Sequence, residues 1–150
     1  GRADYLVVGP NGSVEAFQNV DGKGAWTKLG QVATGSTQWS DRQVRFADLN
    51  GDGRADYLVV GPNGSVEAFQ NVDGKGAWTK LGQVATGSTQ WSDRQVRFAD
   101  LNGDGRADYL VVGPNGSVEA HQNVDAAGTW TKLGQVATGS TQWTDLQVRI

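Results

Sequence analysis

The chain has no cysteine among its 150 residues. Disulfides and thiolate metal sites are therefore both excluded, and stability has to come from packing, hydrogen bonds or hard cations. There is no excess of positive charge either. The 13 Lys and Arg are outnumbered by 16 Asp and Glu, for a net charge of −3, and the basic residues are spread evenly. The basic stripe that nucleic-acid binding requires is missing, so no nucleic-acid partner is expected. No apolar run approaches the roughly 18 residues of a membrane-spanning helix, and no charged-then-apolar leader is present, so no membrane partner is expected. Helix periodicity is absent as well. The chain opens at Gly1 rather than Met, as a processed or trimmed product would, so an export signal could have been lost. At this length, composition alone suggests one small domain.

Self-comparison dominates what is present. The run beginning "GRADYLVVGPNGSVEAF" starts at Gly1, recurs at Gly53 and starts again at Gly105, a spacing of 52 residues. Repeat 1 (1–52) and repeat 2 (53–104) are identical. The shorter repeat 3 (105–150) departs at His121, Ala126, Ala127, Thr129, Thr144, Leu146 and Ile150. A period of this size signals a solenoid, propeller or array. Within one repeat the signals are for strands. Residues 4–9 are short, β-rich and apolar on consecutive positions, as in a strand covered on both faces. "GPNGS" follows as a tight hairpin, with Pro10 at the first central position and Gly12 at a left-handed one. Residues 14–20 alternate, which places Val14, Ala16 and Val20 on one face. Trp26–Ala33 and residues 43–48 supply two more strands, separated by the polar loop "TGSTQWSDR". Four short strands per repeated unit of this length make the arithmetic of a β-propeller blade, so the expected fold class is all-β, with blades of four antiparallel strands. A β-solenoid or stacked sandwich is the alternative, although their repeats are usually shorter.

"DLNGDGRAD" places oxygen donors at its first, third, fifth and ninth positions: Asp48, Asn50, Asp52 and Asp56. Arg54 could add a backbone carbonyl, and Gly53 permits a sharp turn between them. Alternating donors around such a turn suit Ca²⁺, and three close carboxylates repel one another without a cation. The second copy is Asp100, Asn102, Asp104, Arg106 and Asp108. The competing explanation is that Asp, Asn and Gly are simply turn formers, which accounts for the glycines but not for the spacing of the oxygens.

"FADLNGDGRADYLVV" resembles the FG-GAP (VCBS) repeat of integrin α-subunit heads, of microbial secreted proteins and of fungal and bacterial propeller lectins. The resemblance covers the chain as three repeats. It implies calcium-stabilised β-propeller blades, with the metal loop between a blade's first and second strands, and an extracellular or secreted location. Asp48, Asn50, Asp52 and Asp56, with their second-copy equivalents, would be the ligands. Asp4 matches only the last ligand of a third loop. The chain opens on a blade's second strand and closes with "QVRI", which matches a first strand. Unpaired edges seek partners, and three blades are too few where propellers use about 4–8. A homodimer closing a six-bladed ring is expected, with nine blades from three chains as the alternative.

Catalysis is not expected. His121 is the only histidine, and it replaces an aromatic, as a tolerated packing position would. No serine has a nucleophile-elbow context, and the aspartates read better as calcium ligands than as a glycosidase pair. Binding is the better expectation. Gln38, Trp39, Asp41 and Arg42 recur as Gln90, Trp91, Asp93 and Arg94, then as Gln142, Trp143 and Asp145, with Leu146 in the Arg position. An aromatic platform beside amide and charged groups suits a sugar's apolar face and hydroxyls. The resemblance to propeller lectins points the same way, toward multivalent carbohydrate binding between blades. The alternatives are that these tryptophans staple the loop to a neighbouring blade, and that the whole chain is a structural or protein-interaction scaffold. Trp26, Trp78 and Trp130 begin strands and read as packing residues.

Overall fold

Tyr, Leu and two Val in succession favour extended backbone, and "YLVV" forms a strand in all three repeats. The computed structural model describes residues 2–150. Eleven strands follow in order: β1 (Tyr5–Val8), β2 (Val14–Asn19), β3 (Trp26–Ala33), β4 (Val44–Ala47), β5 (Asp56–Val60), β6 (Val66–Asn71), β7 (Trp78–Ala85), β8 (Val96–Ala99), β9 (Asp108–Val112), β10 (Val118–Asn123) and β11 (Trp130–Ala137). Among the described residues the helical segments are single 3₁₀ turns, such as Asp41–Gln43. The strands form three antiparallel meanders, β1-β2-β3, β4-β5-β6-β7 and β8-β9-β10-β11. We call them blades I, II and III, since repeated four-stranded meanders are the units of a β-propeller. Each four-stranded blade straddles a sequence-repeat boundary, because its first strand comes from the end of the preceding repeat.

The "GPNGS" hairpins close as their residues require. Gly9 N donates to Ser13 O at 2.8 Å and Gly12 N to Gly9 O at 2.9 Å, and Gly12 sits at φ 79°. The second strand differs from the expected alternation. It ends at Asn19, and Val20 is half exposed rather than inward-facing. Register shifts between Val14 and Glu15 and between Ala16 and Phe17 break the two-residue period against β3, and Val20 N is spent closing the next turn on Ala25 O.

The core lies between blades. Val14, Val44, Tyr57 and Val59 fill the space between I and II. Leu49, Leu58, Val60, Val96, Tyr109 and Val111 belong to the cluster between II and III. The faces of "YLVV" thus divide, with Tyr57 and Val59 meeting the preceding blade while Leu58 and Val60 meet the following one. β5 and β9 are buried throughout, whereas β1, with the same sequence, is not. Tyr5 is 56% exposed against 4% for Tyr57 and for Tyr109, because none of the described blades packs against its face. Residues 148–150, expected as a strand, join no sheet, since no strand lies beside them to accept their hydrogen bonds.

Candidate functional site

Where blade I meets blade II, three polar groups connect in series. Trp39 Nε1 donates to the Tyr57 hydroxyl at 3.0 Å, which donates in turn to Gly12 O at 2.7 Å. Between blades II and III, Trp91, Tyr109 and Gly64 O repeat the series at 2.9 and 2.7 Å. A second link runs from Trp78 Nε1 to Val32 O at 2.6 Å, and from Trp130 Nε1 to Val84 O at 2.7 Å. Glycine is required at position 12 for two reasons. Its φ is positive, and a Cβ there would lie 2.5 Å from Trp39 Nε1 and 2.7 Å from the Tyr57 hydroxyl. The loop carrying Trp39 is fixed from its far end: Ser40 N donates to Gln43 Oε1 at 2.9 Å, and Gln43 Nε2 to Val60 O at 3.2 Å.

These contacts leave an aromatic cup of about 160 Å³ at each boundary. Thr34, Trp39, Tyr57, Phe69 and Trp78 line the first, with Ala33 and Gly35. Tyr57 meets Phe69 and Trp78 edge-on, at ring-centroid distances of 5.8 and 5.9 Å. The second cup has Thr86, Trp91, Tyr109 and Trp130 in the same places, with His121 in place of Phe. Neither lining contains a carboxylate, lysine or arginine. Burial pushes the hydroxyl pKa of Tyr57 and Tyr109 up, opposed by the tryptophan N–H. Burial also holds His121 below the ordinary imidazole value, and its Nε2 is buried without a hydrogen-bond partner.

Of the residues singled out in the polar loops, Trp39 and Trp91 line the cups. Gln38, Asp41 and Arg42 lie outside the lining, as do Gln90, Asp93 and Arg94. Trp143 is 53% exposed, with Gln142 and Asp145 on the same loop, and none of the described blades covers its exposed face. Tyr57, Phe69 and Thr34 were not anticipated. They converge from three segments, and nothing in a one-dimensional repeat says which faces meet. Trp78 and Trp130, anticipated as packing, also form the cup walls.

The acidic loops join β4 to β5 and β8 to β9. Asp48 Oδ1 accepts from Gly51 N at 2.7 Å and Asp52 N at 3.2 Å, and its Oδ2 from Gly53 N at 2.8 Å. Asn50 Oδ1 accepts from Asp52 N, and Asp52 Oδ1 from Arg54 N. The Arg54 guanidinium pairs with Asp52 Oδ2 at 2.7 Å. Asp56 is fully buried and accepts from Leu49 N and Asn71 N, both at 2.9 Å. Burial raises its pKa against those hydrogen bonds. Asp100, Asn102, Asp104, Arg106 and Asp108 repeat the arrangement, with Arg106 on Asp104 at 2.8 Å. Asp4 keeps one of these roles, accepting from Asn19 N at 2.9 Å. The donors have the chemistry a hard cation takes. As folded, however, no group of three or more His, Cys, Asp or Glu side chains among the described residues is placed to hold a metal. The loop is satisfied by its own N–H groups and by arginine, so a cation would have to displace Arg54 from Asp52.

Comparison with known proteins agrees with this architecture. Among curated proteins there is no match. Among solved structures, a chain of a Photorhabdus luminescens Tc holotoxin pore superposes with a TM-score of 0.57 and 23% identity, over 94% of this chain and 6% of that one. At that identity the likeness concerns the fold, and the present chain spans a small fraction of the other's length. A family model described as "FG-GAP-like repeat" matches residues 1–59 and 48–111. With its repeated antiparallel blades and its matched repeats, the chain belongs to the FG-GAP-like repeat family and is a β-propeller repeat scaffold or interaction module.

Proposed function

We propose that the chain is a non-catalytic recognition module whose inter-blade cups bind carbohydrate, several per assembly. The observation that carries this is the cup itself, an aromatic-walled cavity without charge, formed twice by equivalent residues. Its volume of about 160 Å³ lies below the ~300–1,000 Å³ of drug-sized sites, which suits one sugar ring. A pyranose offers an apolar face to Trp39 and Trp78 and hydroxyls to the Thr34 side chain and the neighbouring backbone. The missing charge favours a neutral sugar over a sialic or uronic acid. Repetition then adds avidity on a glycan-bearing surface, the extracellular setting the family resemblance suggests.

Calcium is the second part of the proposal. Ca²⁺ would be held by Asp48, Asn50, Asp52 and Asp56, and by Asp100, Asn102, Asp104 and Asp108, with backbone carbonyls from Arg54 and Arg106. Bound there, it would neutralise neighbouring carboxylates and tie each loop to its blade.

A glycan-array screen of the folded protein in millimolar calcium tests the first part, followed by titration of Thr34→Val with Thr86→Val. Specific signal that weakens in this variant while the melting temperature holds supports a lectin. A blank array from folded protein refutes it. The alternative, a scaffold with no small ligand, is favoured by the Trp39 and Trp78 N–H groups, which are both consumed by hydrogen bonds that bridge blades.

A further inference from the structure

The two cups repeat in backbone but not in chemistry. Where the first is lined by Phe69, the second is lined by His121. We infer that His121 is a specificity-determining residue: its imidazole accepts a hydrogen bond from a ligand hydroxyl, so the second cup selects among neutral sugars by a contact the first cannot make. The inference rests on the carbohydrate reading of the cups and adds which residue makes them differ.

His121 stands on β10, in register with Tyr109 of β9 and Lys132 of β11, and Tyr109 belongs to the cluster between blades II and III. The imidazole meets Tyr109 edge-on at a centroid distance of 5.8 Å and Trp91 at 6.4 Å. Phe69 meets Tyr57 at 5.8 Å and Trp39 at 6.2 Å. One ring therefore replaces the other without disturbing the walls. What the imidazole adds is nitrogen. Among the described residues, His121 Nε2 is the one buried side-chain nitrogen or oxygen without a hydrogen-bond partner. Buried polar groups are nearly always paired, and each exception calls for a reason. The phenyl ring of Phe69 fills the same place with no unpaired atom, so packing alone gives no reason for the nitrogen. A polar atom left unsatisfied in the wall of a cavity is explained by a partner that arrives with the ligand.

Access and protonation both suit an acceptor. The residue as a whole is half-buried, with Nε2 on its covered side. A half-turn about the Cβ–Cγ bond exchanges Nε2 with Cε1 and Nδ1 with Cδ2 while the ring outline stays in place, so the nitrogens change sides without displacing Tyr109 or Trp91. Burial holds the imidazole below its ordinary pKa; Glu119 opposes this and Lys132 adds to it. Those two side chains are themselves paired at 3.8 Å. Tyr109, Trp91 and Trp130, which line the cup from the other elements, are uncharged at neutral pH. His121 is therefore neutral there and keeps one unprotonated nitrogen as an acceptor. A sugar hydroxyl set against that nitrogen is recognised, and an analogue without it is penalised because the nitrogen stays unpaired.

The test compares wild type, His121→Phe and Phe69→His on one array of neutral glycans at neutral pH, followed by calorimetric titration of the glycans bound. Each variant gives one cup the ring already present in the other, so both folds have a precedent in the chain. Wild type is expected to bind its preferred glycan at two classes of site, with dissociation constants about two- to tenfold apart. His121→Phe should keep only the weaker class and Phe69→His only the tighter one. Because His121 is the only histidine, its ring nitrogens are read without ambiguity by nitrogen-15 NMR, and one of them should shift on addition of that glycan. The same glycans bound with the same affinities by all three proteins overturn the inference and leave the lectin reading standing. Binding that leaves both His121 nitrogen resonances unmoved does the same. A blank array for all three folded proteins overturns both.

Discussion

Tyr109→Phe tests the inter-blade series most directly. The hydroxyl lies in a residue 4% exposed, donates to Gly64 O at 2.7 Å and accepts from Trp91 Nε1 at 2.9 Å. The substitution deletes one oxygen and keeps the ring, including its edge contacts with Phe98 and His121. Each lost hydrogen bond is worth about 0.5–1.5 kcal/mol net, and an acceptor left buried costs about 1–3 kcal/mol. Gly64 is buried and keeps the larger penalty, while Trp91 is half-buried at the mouth of the cup and can turn its N–H to water. The expected loss is therefore about 2 kcal/mol, or roughly 4–8 °C in melting temperature for a chain of this size. Urea unfolding followed by tryptophan fluorescence measures it. The pH dependence provides a second readout. Burial raises the Tyr109 pKa in the folded chain, so the unfolded state ionises first. Stability should be level below about pH 10, the unfolded tyrosine value, and fall as pH rises above it. Tyr109→Phe should flatten part of that fall. A loss below about 0.5 kcal/mol, with the alkaline limb unchanged, would show that the series does not hold the blades together.

Three other outcomes are expected. His121→Phe restores the aromatic of the other copies and removes a buried nitrogen without a partner, so it should stabilise the chain by about 1 kcal/mol. Because burial lowers the His121 pKa, wild-type stability should be level above about pH 6.5 and fall as pH drops below it, and the variant should lose that acid limb; thermal melts at pH 5 and 8 with equal slopes for both proteins would contradict this. Gly64→Ala should cost more than about 1 kcal/mol in denaturant titration, since φ is 79° and the new Cβ would sit 2.5 Å from Trp91 Nε1; an unchanged midpoint would disprove the close approach. Adding calcium to chelator-treated protein should raise the melting temperature, and more so in Arg54→Ala with Arg106→Ala, where no guanidinium competes for Asp52 and Asp104; no shift in either protein would rule out the loops as calcium sites.

Local pattern was enough for most of the elements, though not for residues 148–150. β-branched and aromatic runs with glycine turns at fixed offsets specify the strands, the "GPNGS" hairpins and the 52-residue period, because strand and turn preferences act over a few neighbouring residues. The acidic loop was legible as a set of donors, but not that Arg54 would fold back onto Asp52. Trp39 was legible as a loop aromatic, but not that its N–H would be committed to Tyr57. The sharpest case is "YLVV", where one sequence is open in β1 and sealed in β5 and β9. The sequence by itself determined the blade, its turns and its repetition. Which faces are buried, which side chains close a cup and which edges stay open were decided by the tertiary structure, because those partners lie a blade away and identical repeats carry no local signal for their neighbours.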